Sequence, residues 1–233
     1  MTVKRGLLLA VASVLLVTGC GDDTADETTT ATETSSARVY FLRDGEVWPV
    51  AREIPNAGDG VDHVLAELAE GPTDEETELG LTTSLPEDFE VTEIDTDGLA
   101  DEALAQIVYT LTQFPDTDVV EFLGEEYARG DFEEQTPSVL VESPLPFDVV
   151  TSPITATGTA NTFEANFQYE LLDADGNVVD EDFVTATSGT GTRGTFEFTT
   201  ADVDDVAALV VYESSAEDGS RMNEVEIPLT VAP

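Results

Sequence analysis

The hydrophobic pattern at the start of the first globular region predicts a pair of strands. Residues 38–42 (RVYFL) form a short, mostly apolar run, and residues 46–52 (EVWPVAR) form a second one. The Arg43-Asp44-Gly45 segment between them is typical of a tight turn, because aspartate and glycine tolerate the backbone angles that such turns need. We therefore expect a β-hairpin here.

Helical spacing follows further along the same region. Two segments carry apolar side chains three and four positions apart, which places them on one face of a helix. These side chains are Val61, Val64, Leu65 and Leu68 in the first segment and Leu104, Ile107, Val108 and Leu111 in the second. The first helix is expected to be capped by Asp59 and to end at Gly71-Pro72, and the second to span residues 100–113.

Two more strands complete this region. Residues 89–94 carry a set of apolar side chains that suits a third strand, and residues 118–123 suit a closing strand. The predicted order is β-β-α-β-α-β over residues 38–134. Such an order is typical of an α+β domain with its helices packed on one face of a sheet.

Apolar residues then recur at every second position over residues 137–233. Phe167, Tyr169 and Leu171 alternate with polar residues, and the same alternation returns within residues 196–198 and 225–231. Turn sequences separate these runs at intervals of about ten residues, and no segment has a helical stripe of useful length. The pattern predicts an all-β immunoglobulin-like sandwich.

The charge of the chain excludes one class of partner. The 233 residues include 50 Asp and Glu against 8 Lys and Arg, for a net charge of −42. Nucleic-acid binding needs a basic patch, which so few cations cannot form. Two interpretations of the acidity stay open: a soluble, self-repelling surface, or adaptation to a salt-rich environment in which that repulsion is screened.

The N-terminus has the features of a lipoprotein signal. Lys4 and Arg5 precede an apolar run over residues 7–17, which is too short to span a membrane. The run ends in Val17-Thr18-Gly19-Cys20, which resembles the lipobox that a lipoprotein signal peptidase recognises and cuts. We therefore predict a signal peptide over residues 1–19 and lipidation of the Cys20 thiol. The alternative is an ordinary secretory signal with an incidental cysteine.

Lipidation would hold the chain at the extracytoplasmic face of the cell membrane. A single acyl chain gives marginal membrane binding, whereas the two chains of a diacylglyceryl group are enough for stable attachment. Residues 20–37 contain no large apolar side chain and are predicted to form a disordered, acidic and Thr-rich tether. Because Cys20 is the only cysteine, no intramolecular disulfide is possible.

Three groups of polar residues could suggest chemistry, but simpler interpretations are favoured. Asp173, Asp175, Asn177 and Asp180 are spaced unlike an EF-hand and suit a hairpin turn. Glu121, Glu125, Glu126, Glu133 and Glu134 suit a solvated face in so acidic a chain. His63 has no second histidine or nucleophile motif to act with and suits a surface position. We predict no catalytic residue, no metal site and no cofactor.

Trp48 and Pro49 are the candidate partner-binding residues. Aromatic residues in a strand pair usually belong to the core, but proline is found on edge strands because it cannot donate to a ladder. An exposed edge at Trp48-Pro49 could pair with another chain.

The first region resembles the GerMN domain of spore-germination and sporulation lipoproteins. The resemblance lies in Gly71-Pro72-Thr73, in residues 80–86 (GLTTSLP) and most specifically in residues 106–115 (QIVYTLTQFP). It implies an extracytoplasmic α+β module without catalytic activity, similar to ring-building folds of envelope assemblies. Where the family usually has a further strand and loop, residues 94–99 lead almost directly into the second helix. One sheet strand is therefore expected to be missing, which argues against an oligomer built through that edge.

The second region resembles the immunoglobulin-like domain that commonly follows GerMN. The resemblance lies in short segments at residues 142–144, 158–160, 163–166, 173–177, 194–196 and 214–219. With the predicted lipid anchor, the two resemblances imply a non-catalytic envelope protein that acts as a protein-interaction or assembly module. Its link is to sporulation or germination, or to envelope maintenance. A module that binds cell-wall glycan (peptidoglycan) or a small solute is the alternative, and a hydrolase is a more remote one.

Overall fold

A computed structural model of the chain describes residues 33–56, 60–89, 98–115 and 117–232. Several predicted features lie wholly or mostly outside these residues: the Asp59 cap, the strand over residues 89–94 and the shortened segment at residues 94–99. These features stay predictions.

The first domain opens with the predicted hairpin. Strand β1 (Thr34–Arg43) pairs antiparallel with strand β2 (Glu46–Pro55). Asp44 and Gly45 turn the chain with φ values of 55° and 86°, the left-handed conformation that a tight hairpin turn requires.

Strand β1 begins at Thr34 rather than at the predicted boundary, residue 38. Thr34 to Ala37 pair with Pro55 to Arg52, so the predicted tether over residues 20–37 is wrong for its last four residues. The hydrophobic pattern missed them because a backbone ladder forms without large side chains, and Thr34, Ser35 and Ser36 are exposed.

Three helices follow in the described part. They are α1 (Gly60–Glu70), α2 (Asp74–Glu78) and α3 (Asp101–Leu111). Helix α1 buries Val64, Leu65 and Leu68 as its apolar stripe predicts. Helix α2 was not predicted from apolar spacing. A capping box begins it, in which Thr73 accepts from the backbone of Glu76 and Glu76 accepts from that of Thr73.

Polar side chains of α3 and the turn after it complete the free edge of β1. Gln106 donates to Tyr40 O over 3.2 Å and accepts from Ser84 N over 2.8 Å. Thr110 accepts from Tyr40 N over 3.1 Å, and Gln113 both accepts from Arg38 N and donates to Arg38 O. The helix therefore satisfies backbone groups that a neighbouring strand would otherwise pair with.

The predicted closing strand takes a different place. Strand β3 (Val120–Phe122) pairs with β4 (Glu125–Tyr127) as a separate two-stranded hairpin, so its assignment to the β1–β2 sheet is wrong. The side chains of α3 already satisfy the β1 edge near Tyr40. A 3₁₀ segment at Arg129–Gln135 then buries Phe132 and leads to the second domain.

The second domain is a β-sandwich, as predicted. Its strands are β5 (Val139–Ser143), β6 (Val149–Val150), β7 (Thr155–Ala160), β8 (Asn166–Leu172), β9 (Val178–Thr185), β10 (Gly194–Thr199), β11 (Ala208–Ser214), β12 (Arg221–Pro228) and β13 (Thr230–Val231). One sheet has the order β10-β7-β5 and the other β12-β11-β8-β9. Phe167 of β8 and Phe196 of β10 meet between the two sheets with ring centroids 4.9 Å apart.

Candidate functional site

The predicted lipidation site lies outside the described residues. Cys20 and the recognition residues Val17, Thr18 and Gly19 all precede residue 33, so the signal peptide and the lipid anchor stay predictions. Within the described ranges, no helix is long and apolar enough to cross a membrane.

The predicted partner-binding edge at Trp48 and Pro49 is buried within the chain itself. Trp48 is only 7 % exposed and Pro49 is buried as well. Both residues pack against an apolar surface of the second domain and its connection, leaving a gap of about 10 Å³. That surface consists of Pro137, Val139, Leu140, Val141, Pro146, Val225 and Ile227. We call the contact between the two domains, centred on these residues, the domain seam.

The prediction of an exposed edge at Trp48-Pro49 is therefore wrong. A flat indole and a proline ring gain free energy when they leave water. The second domain is tethered to the first and so is present at a high effective concentration. The partner of this edge is thus part of the same polypeptide.

A polar network lies beside the apolar contact. Glu142 of β5 accepts from Arg129 Nη1 over 2.8 Å and from the Tyr40 hydroxyl. Arg129 also donates through Nε to Thr112 Oγ1 over 2.7 Å, and its guanidinium lies 4.7 Å from the ring centroid of Tyr109. One carboxylate of the second domain is thus held by a cation and a hydroxyl of the first.

The pKa values in this network follow from burial and from the charge pair. Burial raises the pKa of the Tyr40 hydroxyl, and the nearby Glu142 carboxylate raises it further. For Glu142, burial opposes ionisation, but the attraction of Arg129 and the Tyr40 hydrogen bond outweigh it and lower the pKa. Glu142 is therefore a permanent anion and Tyr40 a permanent hydrogen-bond donor near neutral pH.

A second ion pair crosses the domain seam with the charges reversed, since here the first domain supplies the glutamate and the second the arginine. Glu133, from the 3₁₀ segment of the first domain, pairs with Arg193 of the second domain over 2.9 Å. Asn161 donates to the same carboxylate over 2.7 Å, and Arg193 also donates to Pro137 O over 3.0 Å. Each domain thus contributes one arginine and one glutamate, which fixes the two domains in a single arrangement.

Two shallow clefts adjoin the polar side of the seam. Each has a volume of about 430 Å³, and both are lined in part by Arg38, Gln113 and Glu142. Arg38 Nη1 donates to Glu142 O over 3.3 Å. Ligand sites are usually apolar and aromatic with a few polar groups. The mainly polar lining of these clefts does not favour a solute or glycan site.

The acidic groups noted in the sequence do not converge on a site. Asp173 Oδ1 accepts from the backbone N–H groups of Asp175 and Asn177, and Gly176 has φ +80°. This is the geometry of a turn. Hydrogen bonds from Asn177 lower the pKa of Asp173. Across the described ranges, no group of three or more His, Cys, Asp and Glu side chains is arranged to hold a metal ion.

The carboxylates after the second predicted helix are likewise dispersed. Glu121, Glu125 and Glu126 are exposed on the β3–β4 hairpin, and Glu134 is exposed on the 3₁₀ segment that follows. Glu133 is the exception, because Arg193 binds it at the domain seam. His63 is half-buried on α1.

The second domain exposes two aromatic side chains close to each other. Phe163 is 64 % exposed and Phe183 is 73 % exposed. With Phe167 they line a groove of about 150 Å³ at one end of the larger sheet. We call Phe163, Phe183 and this groove the aromatic patch. The alternation of apolar and polar residues did not predict this patch, because that pattern alone assigns aromatic residues to the interior.

Both domain resemblances are confirmed by comparison with protein families. Residues 38–127 match the family model described as sporulation and spore germination. Residues 138–220 match the one described as the immunoglobulin-like domain of bacterial spore germination. No curated protein and no solved structure matches the chain significantly. The chain therefore carries a sporulation and spore germination domain followed by an immunoglobulin-like domain of bacterial spore germination.

Proposed function

We propose that this chain is a non-catalytic lipoprotein of the cell envelope that acts by binding other envelope components in a germination-linked role. The observation that carries the proposal is the domain seam, in which two germination-type domains are joined by apolar packing and two reciprocal Arg–Glu pairs. A fixed pair of modules suits a protein whose task is to present surfaces in a set geometry.

The carboxylates of the seam support a binding role over catalysis. A general acid in hydrolysis needs a carboxyl group whose pKa is raised toward the working pH. Burial opposes ionisation of Glu142 and Glu133, but the charge of Arg129 and hydrogen bonds from Arg193 outweigh it and lower their pKa values. Both groups therefore suit structural anions.

The lipid anchor supplies the location in this proposal. A thiol at Cys20 follows a basic N-terminal segment, an apolar run and the small residue Gly19, as a lipobox requires. Each buried CH₂ of an acyl chain contributes about 0.8 kcal/mol, and two chains suffice for stable attachment. The residues between Cys20 and β1 then set the reach of the domains from the membrane.

The anchor is tested by replacing the thiol. Cys20→Ser is expected to leave the membrane fraction or to stay uncleaved, whereas wild type sediments with membranes as a cleaved, acylated form. Ser13→Ala, in the same signal segment, is the matched control and should behave as wild type. Mass spectrometry of the native protein identifies the modification, and an unmodified, uncleaved N-terminus would contradict the proposal.

The binding role is tested separately from the anchor. Anchored wild-type chain is incubated with solubilised membranes in one arm and with purified peptidoglycan in the other. We expect specific retention of an envelope protein in the first arm and none of the chain on peptidoglycan in the second. Retention on peptidoglycan alone would favour the glycan-binding alternative, and release of soluble glycan fragments would establish a hydrolase.

A further inference from the structure

The aromatic patch stands out because it places two large apolar side chains in water. Phe163 and Phe183 are 64 % and 73 % exposed, and Phe167 forms part of the groove between them. Burying a phenylalanine side chain is favourable, so a partner that covers both rings gains free energy. Clustered exposed apolar side chains are a feature of interaction surfaces.

The backbone holds Phe163 in place. Glu164 and Ala165 both have left-handed φ values, 55° and 62°, a conformation that is unfavourable for residues other than glycine. The Phe163 N–H donates to Glu213 Oε2 over 3.2 Å, and the Glu164 N–H donates to Thr190 Oγ1 over 3.0 Å. The ring is therefore presented by an ordered loop, which lowers the entropy lost when a partner binds.

The neighbouring loop is fitted to this conformation. A Cβ atom on Gly189 would lie 2.6 Å from Ala165 Cα and 2.6 Å from Thr162 O. Ala186 N–H also donates to Ala165 O over 2.9 Å. Only glycine allows the two loops to approach this closely, so the position of Phe163 is built into the fold.

Strand pairing at this edge is hindered at Phe183. Phe183 lies on the edge strand β9, where an added strand would need free N–H groups. The Phe183 N–H already donates to Asp182 Oδ1 over 2.8 Å. An acidic side chain that caps an edge is a known protection against edge-to-edge pairing. The patch is thus suited to side-chain contacts.

Charge selects the partner. Glu164 and Glu213 line the groove together with the two rings, and neither forms an ion pair with any described arginine. A second copy of this chain would bring another −42 of charge to the contact. A basic partner gains from the same field, because complementary charge accelerates association and suppresses wrong partners.

We propose that the aromatic patch binds a basic segment of an envelope protein, with an apolar side chain inserted between Phe163 and Phe183 and Lys or Arg groups facing Glu164 and Glu213. The inference rests on the proposed function and specifies its contact surface. Phenylalanine rings attract cations as well as apolar groups, so a Lys or Arg stem suits both parts of the patch.

The partner is identified by site-specific photo-crosslinking in intact cells. A photoreactive phenylalanine analogue replaces Phe183 in the full-length chain, and the same analogue at Leu123 is the control, because Leu123 is 76 % exposed in the other domain. We expect a cross-link from position 183 to one envelope protein, within a Lys- or Arg-rich segment, and none of it from position 123. Cross-links to a second copy, to peptidoglycan or to no molecule above the control would overturn the inference.

Affinity for the cross-linked segment is then measured with purified chains. Phe163→Ser together with Phe183→Ser should weaken binding at least about tenfold, as for hot-spot side chains, while Leu123→Ser leaves it unchanged. Binding by wild type should weaken as NaCl rises. All variants should melt as wild type does, since the altered side chains are exposed.

The two proposals can fail separately. If the double variant retains an envelope protein from solubilised membranes as wild type does, the aromatic patch is not the contact and the interaction function survives. If wild type itself retains no envelope protein, the proposed function fails together with the inference.

Discussion

The two domains complete their sheets in different ways. In the first, the free edge of β1 is satisfied by polar side chains of α3 and the following turn. In the second, the larger sheet is a ladder of four strands, and on its edge strand β9 Asp182 accepts from Phe183 N. The free edge of the first sheet therefore depends mainly on a few side chains, whereas the inner strands β11 and β8 of the second are paired through their backbones on both sides.

Replacing one glutamine of α3 tests this difference and should have the largest effect on the free energy of unfolding. Gln106 is fully buried and bonds both Tyr40 O and Ser84 N. Gln106→Leu keeps the side-chain volume but removes both hydrogen bonds and leaves Tyr40 O and Ser84 N unpaired. We therefore expect a loss of about 2–4 kcal/mol in the free energy of unfolding. Urea denaturation followed by circular dichroism measures it.

The control is a glutamine of the second domain. Gln168 bonds only the exposed Ser214 hydroxyl, so Gln168→Leu should change stability by about 0.5 kcal/mol or less. Equal losses for the two substitutions would show that the β1 edge does not depend on α3 as described.

The domain seam should give the next largest effect. Glu142→Gln removes the charge that holds Arg129 and weakens the Tyr40 bond, at an expected cost of about 1.5–3 kcal/mol at neutral pH, the range for hydrogen bonds to charged groups. Glu224→Gln is the matched control, because Glu224 pairs with Arg221 at the surface, where an ion pair contributes about 0–1 kcal/mol.

Acid should remove the difference between wild type and Glu142→Gln. The folded-state pKa of Glu142 lies below its ordinary value of 4.5. Its contribution is therefore fully present above pH 4.5 and is lost as the pH falls through the lower folded value. Denaturation at a series of pH values checks this, and a difference that persists in strong acid would contradict a charge-based seam.

The sequence predicted the parts of the fold that apolar spacing encodes. The β1–β2 hairpin, α1, α3 and the sandwich follow from where side chains such as Leu68, Leu104 and Phe167 must be buried. The edge role of Gln106, Thr110 and Gln113 was missed, although they follow one another at helical spacing. Polar side chains give no periodic hydrophobic signal, and their partners in β1 are 66 or more residues away.

The candidate site was harder to predict for a related reason. Trp48 and Pro49 were correctly singled out as unusual, but what covers them depends on the tertiary arrangement of two domains. The scarcity of arginine was the sequence feature that could have pointed to the rest of the seam, because each arginine has many carboxylates to choose from. Of the arginines, Arg129 and Arg193 both bind glutamates across the domain boundary. Arg52 likewise forms a partly buried ion pair, with Glu76.

Salt should stabilise the protein by screening the repulsion between unpaired carboxylates, with less effect on the partly buried ion pairs of the domain seam. Raising NaCl from about 0.1 M to about 1 M shortens the screening length from about 10 Å to about 3 Å. With a net charge of −42, screening of self-repulsion should raise the free energy of unfolding by roughly 1 kcal/mol, comparable to the upper end for exposed ion pairs. Thermal melts in NaCl measure it, and stability that is flat or falls with salt would argue against a salt-rich habitat.

The test at Asp173 should show the smallest effect. It distinguishes a carboxylate that stabilises a turn from one that binds calcium. Asp173 Oδ1 already accepts from two backbone N–H groups and from Asn177 Nδ2. Those bonds occupy the oxygen that a cation would need. At about 1 mM, a level at which weak extracellular calcium sites fill, CaCl₂ and MgCl₂ should therefore shift the melting temperature equally. A shift specific to calcium that disappears in Asp173→Asn would establish a metal site and contradict the turn interpretation.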